Sequence, residues 1–276
     1  MKDKTIAFIG CGNMGRCLIG GLILDGYPSA KLRAADPDPE QLERLSQRFP
    51  VSTSTDNLEA VREANVVVFA VKPQVMKAVA REVAEDLQSH RSLVISIAAG
   101  IHTRALSHWL GAGVPIVRAM PNTPSLVGSG AAALYAMANV NKIQREIAEA
   151  ILRAVGLTVW IEDETLMDAV TAVSGSGPAY FFLLMELIEN AAVDLGLPRD
   201  TARLLTLQTA FGAAKMALES SLGAAHLRVQ VTSPGGTTEQ ALKVFEEGGL
   251  DRIVNQALRS AKTRSEELAE ALGNTQ

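Results

Sequence analysis

Only two cysteines, Cys11 and Cys17, occur in the 276 residues, and both fall in what reads as one loop and helix. That excludes a disulfide framework and favours buried or free thiols in a reducing cytoplasm. The four histidines, His90, His102, His108 and His226, are scattered without metal-site spacing. His102 and His108 share one expected helix but lie on different faces of it, so they read as surface residues. No Ser-His-Asp arrangement can be read. Basic residues do not cluster and the formal net charge is -4, which argues against non-specific nucleic-acid binding. No run of about 18 apolar residues is present, so no membrane span is expected. The N-terminal "MKDKTIAFIGCGN" lacks a signal-peptide pattern. Repeats and low-complexity tracts are absent. What is there is globular: 47% hydrophobic and 20% charged residues, enough for one large domain or two smaller ones.

The first part of the chain alternates strand and helix signals. Short apolar runs at 5–10, 32–36, 65–71, 92–99, 115–120, 130–137 and 157–161 read as strands. Helices are expected over 13–25, 39–49 (with Pro39 in its first turn) and 74–87. "NVVVFAV" (65–71) is apolar throughout, as in a central parallel strand buried on both faces. The alternation predicts a doubly wound parallel α/β sheet. After about Glu162 the strand signals stop and every segment reads as helix. Two of these, around "AYFFLLMELI" and "LLTLQTAFGAAKMAL", have little polar face, so a second subunit is the expected source of cover. The expected division is a dinucleotide-binding domain over 1–162 and a helical domain over 163–276.

"GCGNMG" (Gly10–Gly15) matches G-x-G-x-x-G and stands between an expected strand and an expected helix, the context that makes the pattern specific. Gly10 permits the tight turn, Gly12 lets backbone approach a pyrophosphate, and Gly15 lets the helix pack on the strand. Asn13 and Met14 then open a helix whose N-terminus faces the phosphates. Asp36, at the end of the second strand, stands where a carboxylate accepts the ribose hydroxyls of NADH; the alternative is a turn residue before Pro37. Ligands in such sheets lie at the carboxyl ends of strands. "AVKP" (Ala70, Val71, Lys72, Pro73) and the end of "SIAAG" (Ala98, Ala99, Gly100) are expected to line the same crevice.

"VTSPGGTTEQA" (231–241) interrupts helical sequence with a proline, two glycines and four hydroxyls. Thr237 and Gln240 have capping-box spacing, so Thr237 is the expected N-cap. The N–H groups of Ser233, Gly235, Gly236 and Thr237 then form an anion cradle suited to a substrate carboxylate, with the Thr238 hydroxyl close by. A well-capped helix without ligand is the other reading of the same spacing.

Taken together, "FIGCGNMG", "AVKPQ", "SIAAG", "MPNTP" (120–124), "DAVTAVSGSGPAYFF" (168–182), "GLPRDTA" (196–202) and "VTSPGGTTEQAL" (231–242) give a chain that resembles the pyrroline-5-carboxylate reductases over nearly its full length. The resemblance implies a Rossmann-type domain followed by an all-helical dimerisation domain. It implies reduction of the cyclic imine 1-pyrroline-5-carboxylate to L-proline with NADPH or NADH, by a homodimer that often builds a decamer, with no nucleic-acid or membrane partner. It implies that Ser233 to Thr237 hold the substrate carboxylate and that Thr238 hydrogen-bonds the ring nitrogen. Asn122 and Ser176 border the nicotinamide or are purely structural, and Asn57 lies near the adenosine ribose. The family commonly carries a small polar residue near the position of Asp36, so this chain departs from it there. Two rivals share the outline: a 3-hydroxyacid dehydrogenase and a non-catalytic dinucleotide sensor. The first needs a Lys or His base, and 173–194 contains neither.

Overall fold

The computed structural model describes residues 1–273. In chain order the first unit comprises β1 (Ile6–Ile9), α1 (Asn13–Leu24), β2 (Leu32–Ala35), α2 (Pro39–Ser46), β3 (Ser52–Ser54), α3 (Asn57–Val61), β4 (Val66–Phe69), α4 (Pro73–His90) and β5 (Leu93–Ser96). It continues with α5 (Thr103–Leu110), β6 (Ile116–Met120), β7 (Gly130–Ala136), α6 (Lys142–Arg153), β8 (Gly156–Trp160) and α7 (Met167–Val170). The strands form one sheet in the order β3-β2-β1-β4-β5-β6-β7-β8. All neighbours are parallel except β6 and β7, which pair antiparallel. The short β3 carries no apolar run, only "STS", and was not among the expected strands; it forms because it pairs with β2 at the sheet edge.

The near-continuous apolar strands are explained by burial on both faces. Ile6, Phe8, Val66 and Val68 pack against Leu18, Ile19 and Leu22 of α1, with Leu42 of α2 and Ile151 of α6 in the same cluster. The alternate residues Ala7, Ile9, Val67 and Phe69 pack on the other side with Met76, Ala80 and Val83 of α4 and Leu106 and Trp109 of α5. Period-two alternation within each strand therefore feeds two separate cores.

The second unit is helical: α8 (Gly177–Asp194), α9 (Arg199–Glu219), α10 (Ala224–Gln230), α11 (Thr237–Glu247) and the start of α12 (Leu250–Gly273). The compact units are Met1–Ser176 with the chain from Ala261 onward, and Gly177–Ser260, so they do not coincide with a division at 162. The last helix is the reason, because its C-terminal half belongs to the first unit. There Ser265 Oγ donates to the buried Asp168 carboxylate at 2.7 Å, and Leu272 lies against Gly100.

The second unit buries almost nothing by itself. In α9 only Ala202 and Thr206 are buried, and in α8 only Gly177. Phe181, Phe182, Leu183, Leu187 and Ile188 of α8, and Leu204, Leu205, Phe211, Met216 and Leu218 of α9, are all more than half exposed. The helical stretch Glu164–Asp194 is long and apolar enough, by length and composition alone, to cross a membrane. Five acidic residues, Glu164, Asp168, Glu186, Glu189 and Asp194, nevertheless lie along it.

Candidate active site

The crevice opens between β1 and β4, where the strand order reverses. Gly10 has φ +98°, and a Cβ there would meet Ala70 O at 2.5 Å. A Cβ on Gly15 would meet Gly10 O at 2.2 Å. These two glycines serve the protein's own packing. At Gly12 an added Cβ would meet nothing within 4 Å, so protein packing does not require that glycine; open space above the loop is what a pyrophosphate needs. Gly12 caps α1 with no side-chain hydrogen bond and no acidic residue in the first turn, which leaves the positive helix end clear. Asn13 is exposed and Met14 half-buried at this end. The residues present therefore fit a dinucleotide.

Asp36 follows β2 and its carboxylate bridges two backbone donors, Cys11 N–H to Oδ2 at 2.7 Å and Asp38 N–H to Oδ1 at 3.0 Å. Beside it, burial and then the Asp36 charge push the Cys11 thiol up to about 12, so this cysteine is no nucleophile. Arg16 braces the loop through Cys11 O (2.9 Å), Asn13 Oδ1 (2.8 Å) and Gln41.

Ala70 N–H donates to Ile9 O at 2.7 Å, so the chain after β4 lies against the glycine loop. Val71 and Pro73 are half-buried there and Lys72 is exposed. After β5, Ala98 packs into the core and Gly100 packs on α12, leaving Ala99 the more accessible of the three. Asn57 opens α3 at the carboxyl end of β3, and its amide donates to Glu82 at 2.9 Å. Asn122 uses both ends of its amide on backbone, donating to Ser174 O (3.0 Å) and accepting from Ala131 N–H (2.9 Å). It is a tie between β7 and the helical segment after β8. Ser176 N–H donates to Thr171 O at 2.8 Å. The Ser/Gly segment after α7 begins as a π-helical turn, Thr171–Gly175, between α7 and α8. At Gly175 an added Cβ would meet Met120 Cε at 2.7 Å, so the turn packs closely on the end of β6. Such turns concentrate at functional sites.

In the second unit, Ser233-Pro234-Gly235-Gly236 closes a turn through Gly236 N–H to Ser233 O at 3.0 Å. Proline at the second position and φ +71° at Gly235 are the signature of a type II turn. The expected cap is corrected here. Gly236, not Thr237, is the N-cap of α11, and Thr237 is the first helical residue. Glu239, not Gln240, reaches back, accepting Gly235 N–H at 2.8 Å. The type II turn starts the helix one residue earlier than the capping-box spacing assumed. The N–H groups of Thr237 and Thr238 at the helix start remain for an anion. Thr238 is half-buried and Ser233 exposed.

One polar cluster escaped the sequence reading. Arg118, in the middle of β6, is 2% exposed. Its guanidinium donates to Glu164 Oε1 (3.1 Å) and lies 3.2 Å from His102 Nδ1, while Glu164 also accepts Thr103 N–H (2.7 Å) and Thr103 Oγ1–H (2.6 Å). His102 Nδ1 also lies 3.6 Å from Glu164 Oε1, and its donor or acceptor role depends on the tautomer. His102 is thus a member of a network at the start of α5, not the plain surface residue expected. Burial alone would raise the Glu164 carboxyl, but the His102 and Thr103 contacts and the Arg118 charge outweigh it and hold it down at about 2. An arginine inside the apolar run "PIVRAM" was the available signal, since a buried charge requires a partner.

A doubly wound sheet with a glycine loop open to a pyrophosphate, continued by helices, defines a nicotinamide-dinucleotide oxidoreductase. Residues 5–100 match the family described as NADP oxidoreductase, coenzyme F420-dependent, and residues 164–268 match pyrroline-5-carboxylate reductase dimerisation. The chain is 53% identical over 273 residues to a pyrroline-5-carboxylate reductase of Pseudomonas aeruginosa, covering 99% of this chain and 100% of the relative. The solved structure of a pyrroline-5-carboxylate reductase from Coxiella burnetii superposes with a TM-score of 0.93 at 46% identity, covering 96% of this chain and 98% of that one. That from Plasmodium falciparum, solved with NADP bound, gives 0.86 at 30% identity over 98% and 99%. This chain belongs to the pyrroline-5-carboxylate reductase family.

Proposed function

We propose that the chain reduces 1-pyrroline-5-carboxylate to L-proline with NADPH or NADH, the last step of proline biosynthesis. Family membership over essentially the whole chain carries this reading. A bound nicotinamide supplies the hydride. The reaction adds that hydride to the ring carbon of the C=N bond and one proton to the ring nitrogen. Gly10–Gly15 and the helix end at Asn13 hold the pyrophosphate, while the chain ends at Ala70–Pro73 and Ala98–Gly100 border the dinucleotide. The N–H groups at Thr237 and Thr238 and the Ser233 hydroxyl hold the substrate carboxylate, since Gly235 N–H is taken by Glu239 and Gly236 N–H by Ser233 O. The Thr238 hydroxyl orients the ring nitrogen; a threonine hydroxyl is too weak an acid to be the ultimate proton source. Asn122 and Ser176 act as structural supports. The division we favour is a dinucleotide-binding domain over 1–162 and a helical substrate-binding and dimerisation domain over 163–276.

The chain self-associates through its helical segment, the one described by the dimerisation family. Covering the ten half-exposed side chains of α8 and α9 is worth roughly 10 kcal/mol per chain, at ~1 kcal/mol each. That is comparable with the ~4–15 kcal/mol cost of association, and the α11 face adds to it. A homodimer is the minimal assembly and a decamer built from dimers the larger one we favour, in the cytoplasm. The test is oxidation of NADH and NADPH followed by absorbance, with and without the imine. No imine-dependent oxidation with either cofactor would sink the assignment and favour a dinucleotide sensor.

A further inference from the structure

We infer that Glu164 is a positioning residue for the nicotinamide half of the dinucleotide, acting through the loop that follows β5. The inference rests on the dinucleotide reading of the crevice and deepens it. Helix α5 begins without a cap of its own. His102 stands at its N-cap and makes no side-chain cap bond, and the first turn holds no acidic residue. Glu164 supplies both from 61 positions along the chain. One of its oxygens accepts Thr103 N–H at 2.7 Å and the other Thr103 Oγ1–H at 2.6 Å, which sets its charge at the positive end of the helix. Asp163 caps the turn that carries Glu164 by accepting Thr165 N–H at 2.9 Å, so the Glu164 side chain is left to serve another element.

Arg118 fixes where that carboxylate sits. Its buried guanidinium donates to Glu164 Oε1 at 3.1 Å. Arg118 pairs in register with Ser96, the last residue of β5, so the cluster lies at the root of the loop over 97–100. That loop is tied at its start, where Ile97 N–H donates to Phe69 O at 3.1 Å and Ala98 N–H to Ser96 Oγ at 3.4 Å. At its far end the chain runs into Thr103, which Glu164 holds. In this class of sheet the pyrophosphate lies on the loop after β1 and the adenosine ribose on the β2 side. The nicotinamide half then extends the other way, over the ends of β4 and β5, where the loop stands. Holding both ends of the loop organises it before the cofactor arrives, which lowers the ordering cost of binding. The adenosine side hangs on separate bonds, from Cys11 N–H and Asp38 N–H to Asp36. Loosening Glu164 therefore acts on one half of the cofactor and spares the other.

The experiment is calorimetric titration of the full-length protein, without imine, with NADH and separately with ADP-ribose, which keeps the adenosine, the pyrophosphate and the second ribose but lacks the nicotinamide ring. Wild type is expected to bind both. Glu164→Gln removes the charge and should weaken NADH about tenfold while ADP-ribose stays within about twofold and the number of sites per chain is unchanged. Thr103→Val removes only the Oγ1–H donor and keeps the Arg118–Glu164 pair, so it should fold and weaken NADH alone by about threefold. A purely structural role for Glu164 would lower Tm and leave both affinities intact. Equal weakening of both ligands in Glu164→Gln, or of neither, would overturn the inference; if that variant does not fold, the same two outcomes in Thr103→Val decide it. A wild type that binds neither ligand would refute the dinucleotide reading and the inference with it. Selective loss of NADH affinity in the variants of a protein that reduces no imine would leave the inference standing and refute the catalytic assignment alone.

Discussion

Replacing Glu164 by Gln perturbs one carboxylate whose contribution can be worked out from its surroundings. In the folded chain it titrates at about 2, against 4.5 in the absence of structure. Because the folded value is the lower, the unfolded chain takes up the proton first as pH falls. The stabilisation is fully present above about pH 4.5 and drains away as pH drops towards 2. It amounts to ~3 kcal/mol at pH 7 and ~1.5 kcal/mol at pH 3. The same figure is reached from the partner's side: Arg118 is almost fully buried, and removing the opposing charge of such a pair costs about 3–5 kcal/mol. Urea denaturation of wild type and Glu164→Gln at equal subunit concentration, at pH 7 and pH 3, measures the gap between them. Fixing the concentration matters because folding is linked to association. The expected gap is about 3 kcal/mol at pH 7 and roughly half that at pH 3, because protonated Glu164 resembles Gln. A gap that does not change with pH would show that Glu164 acts through packing or neutral hydrogen bonds, and would refute the charge-based account.

Gly12→Val should abolish dinucleotide binding with little change in Tm, since its side chain meets open space, whereas Gly15→Ala should lower Tm because its Cβ meets Gly10 O; thermal scans with a cofactor titration check both, and equal Tm losses would contradict the assignment. Thr238→Val should keep the fold and lower kcat/KM for the imine by roughly 10–1,000-fold, as expected for one hydrogen bond in a closed site; unchanged steady-state kinetics would remove Thr238 from the mechanism. Sedimentation at micromolar protein should show no folded, active monomer, given the exposed faces of α8 and α9; an active monomer would mean that those faces need no partner.

Local chemistry was legible in the amino-acid sequence wherever one element carries its own explanation. Strands β1, β4 and β5 announce themselves as apolar runs because both sheet faces are covered. The glycine loop does so because its backbone needs are met by residue type alone. The apolar helices after Glu162 likewise signal an absent partner, and the family follows from seven motifs in one order. Tertiary structure decided what depends on residues far apart in the chain. Strand β3 exists only by pairing with β2, and β7 runs antiparallel to β6 although its neighbour β8 is parallel to it. Asp36 meets Cys11 across 25 positions, which gives a residue with two local readings a further one, as a clamp on the loop. Asn122 proved a brace because its partners, Ala131 and Ser174, are set by the sheet and the π turn. The α11 cap moved from Thr237 to Gly236 because the type II turn at Gly235, with Glu239 reaching back, sets where the helix begins. Arg118, His102 and Glu164 are separated by up to 62 positions, and no spacing rule connects them. Only the fold brings them together, since a charge buried in a strand is tolerable only where the chain returns a counter-charge to it.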